Sequence, residues 1–503
     1  MISKLSWLQR LKDSFTKQPT ESESFSRFLL QDSLHKKYLL IATAGIFIQF
    51  IVFKLCYPFA SYFTDSYTYI DAAAHNYVIS IRPLGYSRFL SLVHRFTTSD
   101  TALVFIHYLT IQLGLLYFFF TLRFFFPLRN SISHVLFVFF LCNPLTLYLS
   151  NQVSSDALFA SVSIIWFTLL IWLVIRPGWT YLLIMAELLY LLFQIRYTAL
   201  YLPAVAIPAI LLSRRNWLFK ISGIILVTAP MYLGMQQIKS ITKKETGTAV
   251  FSAFGSWMAA NNALHVYPHI TMLDKDLPTA ECIALNKVVK QYFDTLPASV
   301  KHRADEFLWS DKLPLKIYMY QLQQQKKIDG YFRAWHAVAP VFTQFSNALM
   351  QQHPFAFMRY YVLPNSKEFF MPQMECFSSY NENKNTVDSV VVKWFNYKSD
   401  QVTSVNNTIQ AGMLGPMRWL WFLSNIIFCG GLIRAKRYKP APELLRTLLL
   451  AGAFWGVHFC FSIYASSIVL RYQYFPMVLC VTFSLILINI FTTQYRNKPA
   501  STM

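Results

Sequence analysis

Residues 38–60 read YLLIATAGIFIQFIVFKLCYPFA, and residues 61–71 continue as SYFTDSYTYID. The first stretch carries a single charged residue, Lys54, and is long enough to cross the roughly 30 Å hydrocarbon core of a bilayer as a helix. Comparable apolar runs recur along the 503-residue chain, which is 55% hydrophobic and 17% aromatic, with a mean hydropathy of +0.36. The sequence therefore predicts an α-helical polytopic membrane protein, with Asp65 directly after its first span.

Ten membrane spans are predicted, because each run approaches the roughly 20 residues that a helix needs to cross a bilayer. The fifth and sixth are separated only by Arg196 and Tyr197, so they could instead form one kinked or re-entrant unit. An even number of crossings places both termini on one side. The predicted spans lie at about 38–60, 101–122, 131–150, 154–175, 179–195, 198–213, 217–236, 413–433, 446–466 and 473–492.

The basic residues indicate the orientation of these spans. Lys and Arg gather in the N-terminal segment, in the connections near 123–129, 176, 214–220 and 434–446, and in the C-terminal tail. The positive-inside rule makes those segments cytoplasmic. The net charge of +21 is therefore explained by topology, and no basic stripe with interleaved aromatics indicates a nucleic-acid partner. Compact loops suit a bacterial inner membrane with the functional face toward the periplasm, and a eukaryotic endomembrane is the alternative.

This topology divides the chain into five parts. The first outer loop has the apolar spacing of helices that lie along the membrane interface. The long polar stretch carries eighteen basic and fourteen acidic residues, so its charge is nearly balanced, as in a solvated domain. This domain is predicted to be mixed and mainly helical, with turn-rich segments between its helices. The predicted parts are a cytoplasmic amphipathic segment at 1–37, a transmembrane module at 38–236 with the outer loop at 61–100, an exterior domain at 237–412, C-terminal membrane helices at 413–492 and a cytoplasmic tail at 493–503.

Carboxylates and arginines at span ends are the candidate functional residues. The chain contains no phosphate-binding glycine loop, HExxH, CxxC or GxSxG motif. Ten acidic residues lie outside 237–412, and four of them fall on the predicted outer face: Asp65, Asp71, Asp100 and Asp156. A carboxylate can activate an acceptor hydroxyl, and guanidinium groups can hold phosphate oxygens, so this pattern favours a lipid-phosphate substrate.

Several motifs together resemble the GT-C superfamily of polyprenyl-phosphate-sugar-dependent membrane glycosyltransferases, which includes protein O-mannosyltransferases and aminoarabinose transferases. They are Asp65-Ser66-x-x-Tyr69, the loop from Arg82 to Leu90 (RPLGYSRFL), Asn143-Pro144 followed by Ser154-Ser155-Asp156-Ala157, Arg196-Tyr197-Thr198-Ala199, and Arg471-Tyr472 with Pro476. They cover most of the membrane part in the right order.

The resemblance implies a GT-C-like helix bundle and an inverting transfer of a sugar from a polyprenyl phosphate to a lipid, glycan or protein acceptor. Asp65 and Asp156 are the expected catalytic residues. Many members have a second acid after the first-loop Asp, whereas this chain has Ser66, so a pair of adjacent carboxylates is not expected. Use of a divalent cation differs among branches and stays open. The expected substrate-binding residues are Tyr69, Arg82, Arg196, Arg471 and Tyr472.

Other interpretations compete with these. Asp65 and Asp156 could cap helices, and Arg196 and Arg471 could snorkel to the interface. Asp71 and Asp100 are expected to be helix-surface or cap residues. Glu187, an acid inside a span, is expected to pair with Lys54 or His107. Cys282 and Cys376 could form at most one disulfide. A transporter or flippase of lipid-linked saccharides is the alternative function, and an envelope polymerase or ligase is a third.

Overall fold

The computed structural model describes residues 24–296, 303–407, 409–435, 440–465 and 467–496. The apolar pattern predicted as an amphipathic segment, from Ile2 to Phe15, and the end of the tail from 497 lie outside these residues. Secondary structure in the described part is helical, and its extended backbone contributes isolated bridges only. The predicted all-helical class is therefore confirmed.

Eight helical segments in the described ranges are long and apolar enough to cross a membrane. They correspond to eight of the ten predicted spans. One is interrupted at Asn143, whose side chain accepts from the Leu145 amide (3.1 Å) and starts a new helix at Pro144. The helices are Phe25–Gln31 followed by Ser33–Cys56, Asp100–Phe125, Asn130–Cys142 with Pro144–Asn151, Ser155–Ile175, Trp217–Thr246, Ile409–Ala435, Pro442–Ala465 and Tyr474–Arg496.

The predicted fifth and sixth spans are shorter helices, Trp179–Ile195 and Pro203–Leu212, joined by the 3-10 turn Tyr197–Tyr201. Before the first of them, the Pro177 carbonyl accepts two hydrogen bonds from Arg215, which belongs to the basic connection at 214–220. We call the end of the bundle that carries such basic connections the basic end. At its other end, a Cβ on Gly85 of the first loop would overlap the Gln194 carbonyl. This helix therefore extends from the basic end of the bundle to the end that carries the first loop, which we call the site face.

The remaining α-helices of the described ranges lie at the site face. Two are in the first loop, where interfacial helices are predicted, and the others lie between the Trp217–Thr246 and Ile409–Ala435 helices. The Trp217–Thr246 helix itself ends ten residues beyond the predicted end at 236. The additional helices are Thr64–Ala74, Gly85–His94, Ala253–Val266, Ala280–Asp294, Glu306–Trp309, Pro314–Gln325, Tyr331–Ala337, Ala339–Gln352, Pro354–Phe357 continuing through the π-helical turn Met358–Val362, Leu363–Phe370 and Ser389–Phe395.

The polar stretch contains two differently packed parts. Residues 253–361 bury their own core, centred on the stacked rings of Trp257 and Trp335, whose centroids are 3.8 Å apart. Residues 363–402 pack instead on the membrane helices and the first loop. The Trp421 indole donates to the Phe369 carbonyl (2.6 Å), and the Tyr380 hydroxyl donates to the Ala60 carbonyl (3.0 Å). This second part therefore lies directly against the site face.

Two isolated backbone bridges connect distant segments at the site face. Ser61 donates to the Asn151 carbonyl (2.8 Å) and accepts from the Val153 amide (3.1 Å). Gln373 donates to the Ile468 carbonyl (3.1 Å) and accepts from the Leu470 amide (2.8 Å). The first bridge brings residue 65 close to residue 156, and the second brings residue 375 close to residue 471.

Three predicted side-chain arrangements have clear outcomes. Asp100 is buried and accepts from the Ala60 amide (2.7 Å), so it holds the first loop. The predicted pairing of Glu187 is wrong, because its side chain is exposed on the bundle surface while His107 bonds to the Ser150 carbonyl. Lys54 has no hydrogen-bond partner among the described residues.

The two candidate disulfide cysteines are free and lie in different places. Cys282 is buried in the core of residues 253–361. Cys376 accepts from the Gln152 side chain (3.1 Å) at the site face. The chain therefore does not use this pair as a crosslink.

Candidate functional site

A cavity of about 560 Å³ opens at the site face between the membrane helices, the first loop and the polar stretch. We call it the site cavity. Its lining combines charged groups from all three regions with apolar residues and His458. Six of the charged side chains form one ion-pair network, and Arg303, Asp305 and Glu382 also line the cavity. The network consists of Asp65, Arg82, Asp156, Arg196, Glu375 and Arg471.

Asp65 faces two arginines. It is the second residue of the Thr64–Ala74 helix, but Ser66 supplies the capping contact by accepting from the Phe63 amide (3.2 Å). The Asp65 carboxylate instead pairs with Arg82 (2.6 Å) and with Arg471 (3.2 Å). Its side chain is 13% exposed. The capping interpretation of Asp65 therefore does not hold.

The two guanidinium groups keep Asp65 ionised. Burial raises the pKa of a carboxyl group, because the charged form loses its hydration. Arg82 and Arg471 outweigh this effect, so the pKa of Asp65 lies below its ordinary value. In this arrangement Asp65 is a weak base, because its negative charge is paired with two guanidinium groups.

Asp156 occupies the equivalent position on the opposite wall. Ser154 caps the Ser155–Ile175 helix and also donates its hydroxyl to Asp156 Oδ2 (2.9 Å). Asp156 Oδ1 contacts Arg196, and Oδ2 also accepts from Arg471 Nη1 (3.0 Å). Because its side chain is only 3% exposed, Asp156 depends on these cations to remain charged.

Arg471 lies at the centre of the network. Its Nη1 donates to both Asp65 and Asp156, and its Nε donates to Glu375 Oε2 (2.8 Å). The guanidinium groups of Arg196 and Arg471 each lie 4.5 Å from the ring centroid of Tyr472. Both arginines therefore point into the cavity, and the snorkelling interpretation does not apply to them.

All seven residues predicted for the site are brought together, but Tyr69 and Tyr472 differ in position. Tyr472 lines the cavity between two arginines. Tyr69 is buried outside the cavity lining. Its hydroxyl bonds to Ser155 Oγ (3.0 Å), and its ring packs against Tyr86. Tyr69 therefore connects the first-loop helix to the Asp156 helix and does not line the cavity.

Glu375 is the site residue that the sequence reasoning missed. Its partial burial raises its pKa, and Arg471 offsets this only in part. Its backbone has a φ of +47°, in the left-handed region that non-glycine residues rarely adopt. Three carboxylates, Asp65, Asp156 and Glu375, thus face three guanidinium groups, and the network is neutral overall.

The carboxylates do not fit a metal ion in this arrangement. Among the residues that the structure describes, no group of three or more His, Cys, Asp or Glu is placed to hold one. Asp65 and Asp156 both point at Arg471, so a guanidinium group stands where a shared cation would lie. The charges of Asp65 and Asp156 are therefore balanced by a guanidinium group that they share.

A groove joins the site cavity on the side of Arg82. A space of about 220 Å³ lies between the first loop and two membrane helices, lined by Arg82, Arg88, Tyr190 and Gln194 among others. A further cleft of about 420 Å³ continues past Tyr190 between the Trp179–Ile195 and Trp217–Thr246 helices. Arg82 lines both the site cavity and the groove. The site cavity and the groove therefore meet at Arg82, and the groove and the further cleft, which Glu187 also lines, meet at Tyr190.

Comparison of the chain with protein-family models, curated proteins and solved structures found no match. The GT-C resemblance therefore remains an expectation from the sequence motifs. The arrangement of charges in the site cavity and the groove beside it are the observations from which a function can be inferred.

Proposed function

We propose that the protein is a membrane glycosyltransferase that moves a sugar from a polyprenyl-phosphate donor to an acceptor at the site face. One observation carries this: Arg471 joins two buried carboxylates, Asp65 and Asp156, in a cavity that shares Arg82 with a groove between the first loop and two membrane helices. Carboxylates and guanidinium groups are the groups that such a transfer needs, and the groove suits a lipid tail.

The guanidinium groups provide the phosphate site. Arg82, Arg196 and Arg471 line one cavity, and a guanidinium group can hold two phosphate oxygens at once. As the bond between the sugar and the phosphate breaks, negative charge accumulates on the departing lipid phosphate. Arginines already fixed in place stabilise that charge without reorganising.

Asp65 is the proposed base. The acceptor hydroxyl attacks the anomeric carbon on the side opposite the phosphate, its proton passes to an Asp65 oxygen, and the bond from that carbon to the phosphate oxygen breaks. The products are an inverted glycoside and a polyprenyl phosphate. Asp156 orients Arg196 and Arg471 for this step through its two oxygens.

Donor binding would also strengthen the base. Arg82 and Arg471 hold the pKa of Asp65 below its ordinary value. When the negative charge of the donor phosphate lies beside these fixed cations, it offsets part of their effect on Asp65, and the pKa of Asp65 rises. Asp65 thus becomes a better proton acceptor when the donor is in place.

The groove favours a lipid-linked donor over a soluble one. Its walls come from two membrane helices and the first loop, Arg88 lines it, and Arg82 lines both the groove and the site cavity. An isoprenoid chain in the groove would place its phosphate beside Arg82. The acceptor is an envelope lipid, glycan or protein, and the proposed location is a bacterial inner membrane with the site face toward the periplasm.

Transfer can be tested with purified protein in lipid nanodiscs and a panel of radiolabelled polyprenyl-phosphate sugars, offered with envelope lipids and glycans. We expect label to move to an acceptor and polyprenyl phosphate to be released. Asp71→Asn is a matched control for Asp65→Asn, because Asp71 lies on the same helix but is exposed and paired with His75. Movement of the intact labelled lipid across a liposome membrane without bond cleavage would refute transfer and favour the flippase alternative.

A further inference from the structure

Glu375 occupies a contact that a phosphate would need. Its Oε2 accepts from Arg471 Nε at 2.8 Å, and both side chains line the site cavity. With three carboxylates facing three guanidinium groups, the network has no uncompensated positive charge to offer an anion. A phosphate can therefore bind strongly only if one carboxylate leaves or loses its charge.

Glu375 differs from the two aspartates in how it is held. Asp65 has Arg82 as a second partner and Asp156 has Arg196, whereas Arg471 is the one cation within ion-pairing distance of Glu375 in the described part of the chain. The Glu375 side chain is 34% exposed, compared with 13% for Asp65 and 3% for Asp156. Glu375 is therefore the carboxylate that can move into solvent at least cost.

The backbone that carries Glu375 is strained. Its φ is +47°, and three further residues of the same segment, Asn381, Glu382 and Asn383, also have positive φ values. Such conformations are unfavourable for residues other than glycine and persist at sites where surrounding contacts impose them. The Gln373 bridge to residues 468–470 imposes one such constraint immediately before Glu375.

We propose that Glu375 occupies Arg471 in the resting protein and that the phosphate of the incoming substrate displaces it. This rests on the proposed function, since a phosphate ester is the ligand. Glu375 is then a positioning residue that acts through Arg471: it keeps the guanidinium group in place in the empty site and releases its Nε when phosphate arrives. Its raised pKa agrees with this role, because Glu375 gives up its charge more readily than Asp65.

The test is the affinity of farnesyl phosphate for the full-length protein in nanodiscs, measured by isothermal titration calorimetry. We expect Glu375→Gln to bind about tenfold more tightly than wild type, the factor for one charge-assisted hydrogen bond that no longer has to be broken. General structural damage would weaken binding, so a gain identifies displacement.

Glu382→Gln is the matched control. Glu382 lies on the same segment, lines the same cavity and is 36% exposed, but it pairs with Lys384 and not with an arginine of the network. We expect its affinity to stay within about twofold of wild type, as for a surface pair. An equal gain in Glu382→Gln would assign the effect to net charge alone and overturn the displacement of Glu375.

Unchanged or weaker binding of farnesyl phosphate by Glu375→Gln would also overturn the proposed displacement of Glu375. If that variant does not fold, Glu375→Asp tests the same contact, since its shorter side chain reaches Arg471 less well and should also bind more tightly. Tighter phosphate binding without turnover of any polyprenyl-phosphate sugar would support displacement and refute the transfer. Turnover of a polyprenyl-phosphate sugar with unchanged phosphate affinity in Glu375→Gln would support the transfer and refute the displacement.

Discussion

The pair formed by Asp156 and Arg196 should be strongly coupled in stability. Asp156 is 3% exposed and Arg196 is 16% exposed, and Asp156 Oδ1 contacts the guanidinium group. Asp156→Asn keeps the shape of the side chain but removes its charge. Removing one partner of a buried ion pair costs about 3–5 kcal/mol, because the other charge remains buried without compensation.

Arg196 is the residue that Asp156→Asn should leave without a counter-charge. Arg471, the other partner of Asp156, keeps Asp65 and Glu375, so its charge remains balanced. We therefore expect Asp156→Asn to lower the free energy of unfolding by about 3 kcal/mol, at the lower end of that range. Arg196→Gln should cost a similar amount, because Asp156 then loses a cation while buried.

The double variant distinguishes this reasoning from simple loss of packing. Asp156→Asn with Arg196→Gln removes both charges, so its cost should be smaller than the sum of the single costs by about 2 kcal/mol. The measurement is reversible unfolding in mixed micelles, titrated with SDS and followed by tryptophan fluorescence. The exposed pair Asp71 and His75 gives a control cycle in which coupling should be below about 0.5 kcal/mol. Additivity within about 0.5 kcal/mol at Asp156 and Arg196 would refute a coupled buried pair.

Three further outcomes are expected. Asp65→Asn should reduce transfer by about 10²-fold or more in the nanodisc assay while leaving the protein folded, and wild-type turnover would remove Asp65 from the chemistry. Arg471→Ala should weaken binding of farnesyl phosphate by at least about tenfold in calorimetry, and an unchanged affinity would exclude it from the phosphate site. Gly85→Ala should lower the free energy of unfolding by about 1–3 kcal/mol in the SDS titration, because the added methyl overlaps the Gln194 carbonyl. Gly456→Ala, where a Cβ meets nothing within 4 Å, is its control and should be neutral or slightly stabilising.

Hydropathy and charge predicted the membrane part of the fold well, because both are local properties of the chain. The eight long segments match predicted spans, and the uncertain fifth and sixth spans are the two helices too short to stand out by length. The same topology predicted that Asp65, Asp156 and Arg471 lie on one side of the bundle. Because the ends of packed helices on one side lie close together, their side chains can meet there.

The missed residue and the wrong pairing have physical reasons. Glu375 lies in the long polar stretch, where acidic residues are common, and it reaches Arg471 across 96 positions of the chain through a backbone bridge with no sequence signature. Glu187 was expected to pair because an acid inside a span is costly. That cost says nothing about which face of the helix carries the residue, and here the exposed face does.

The separation of the paired residues also has a consequence for biosynthesis. Asp65 and Arg471 are 406 positions apart, and the Gln373 bridge needs residues 468–470. As the chain emerges from the ribosome, Asp65 can already meet Arg82, and Asp156 can meet Arg196, but the residue that joins the two pairs is made last. A nascent chain would hold two separate half-sites until the segment that carries Arg471 has been made. The charge network would therefore be complete only after residues 468–471 are in place, and chains that stop before them would lack the group that joins its two halves.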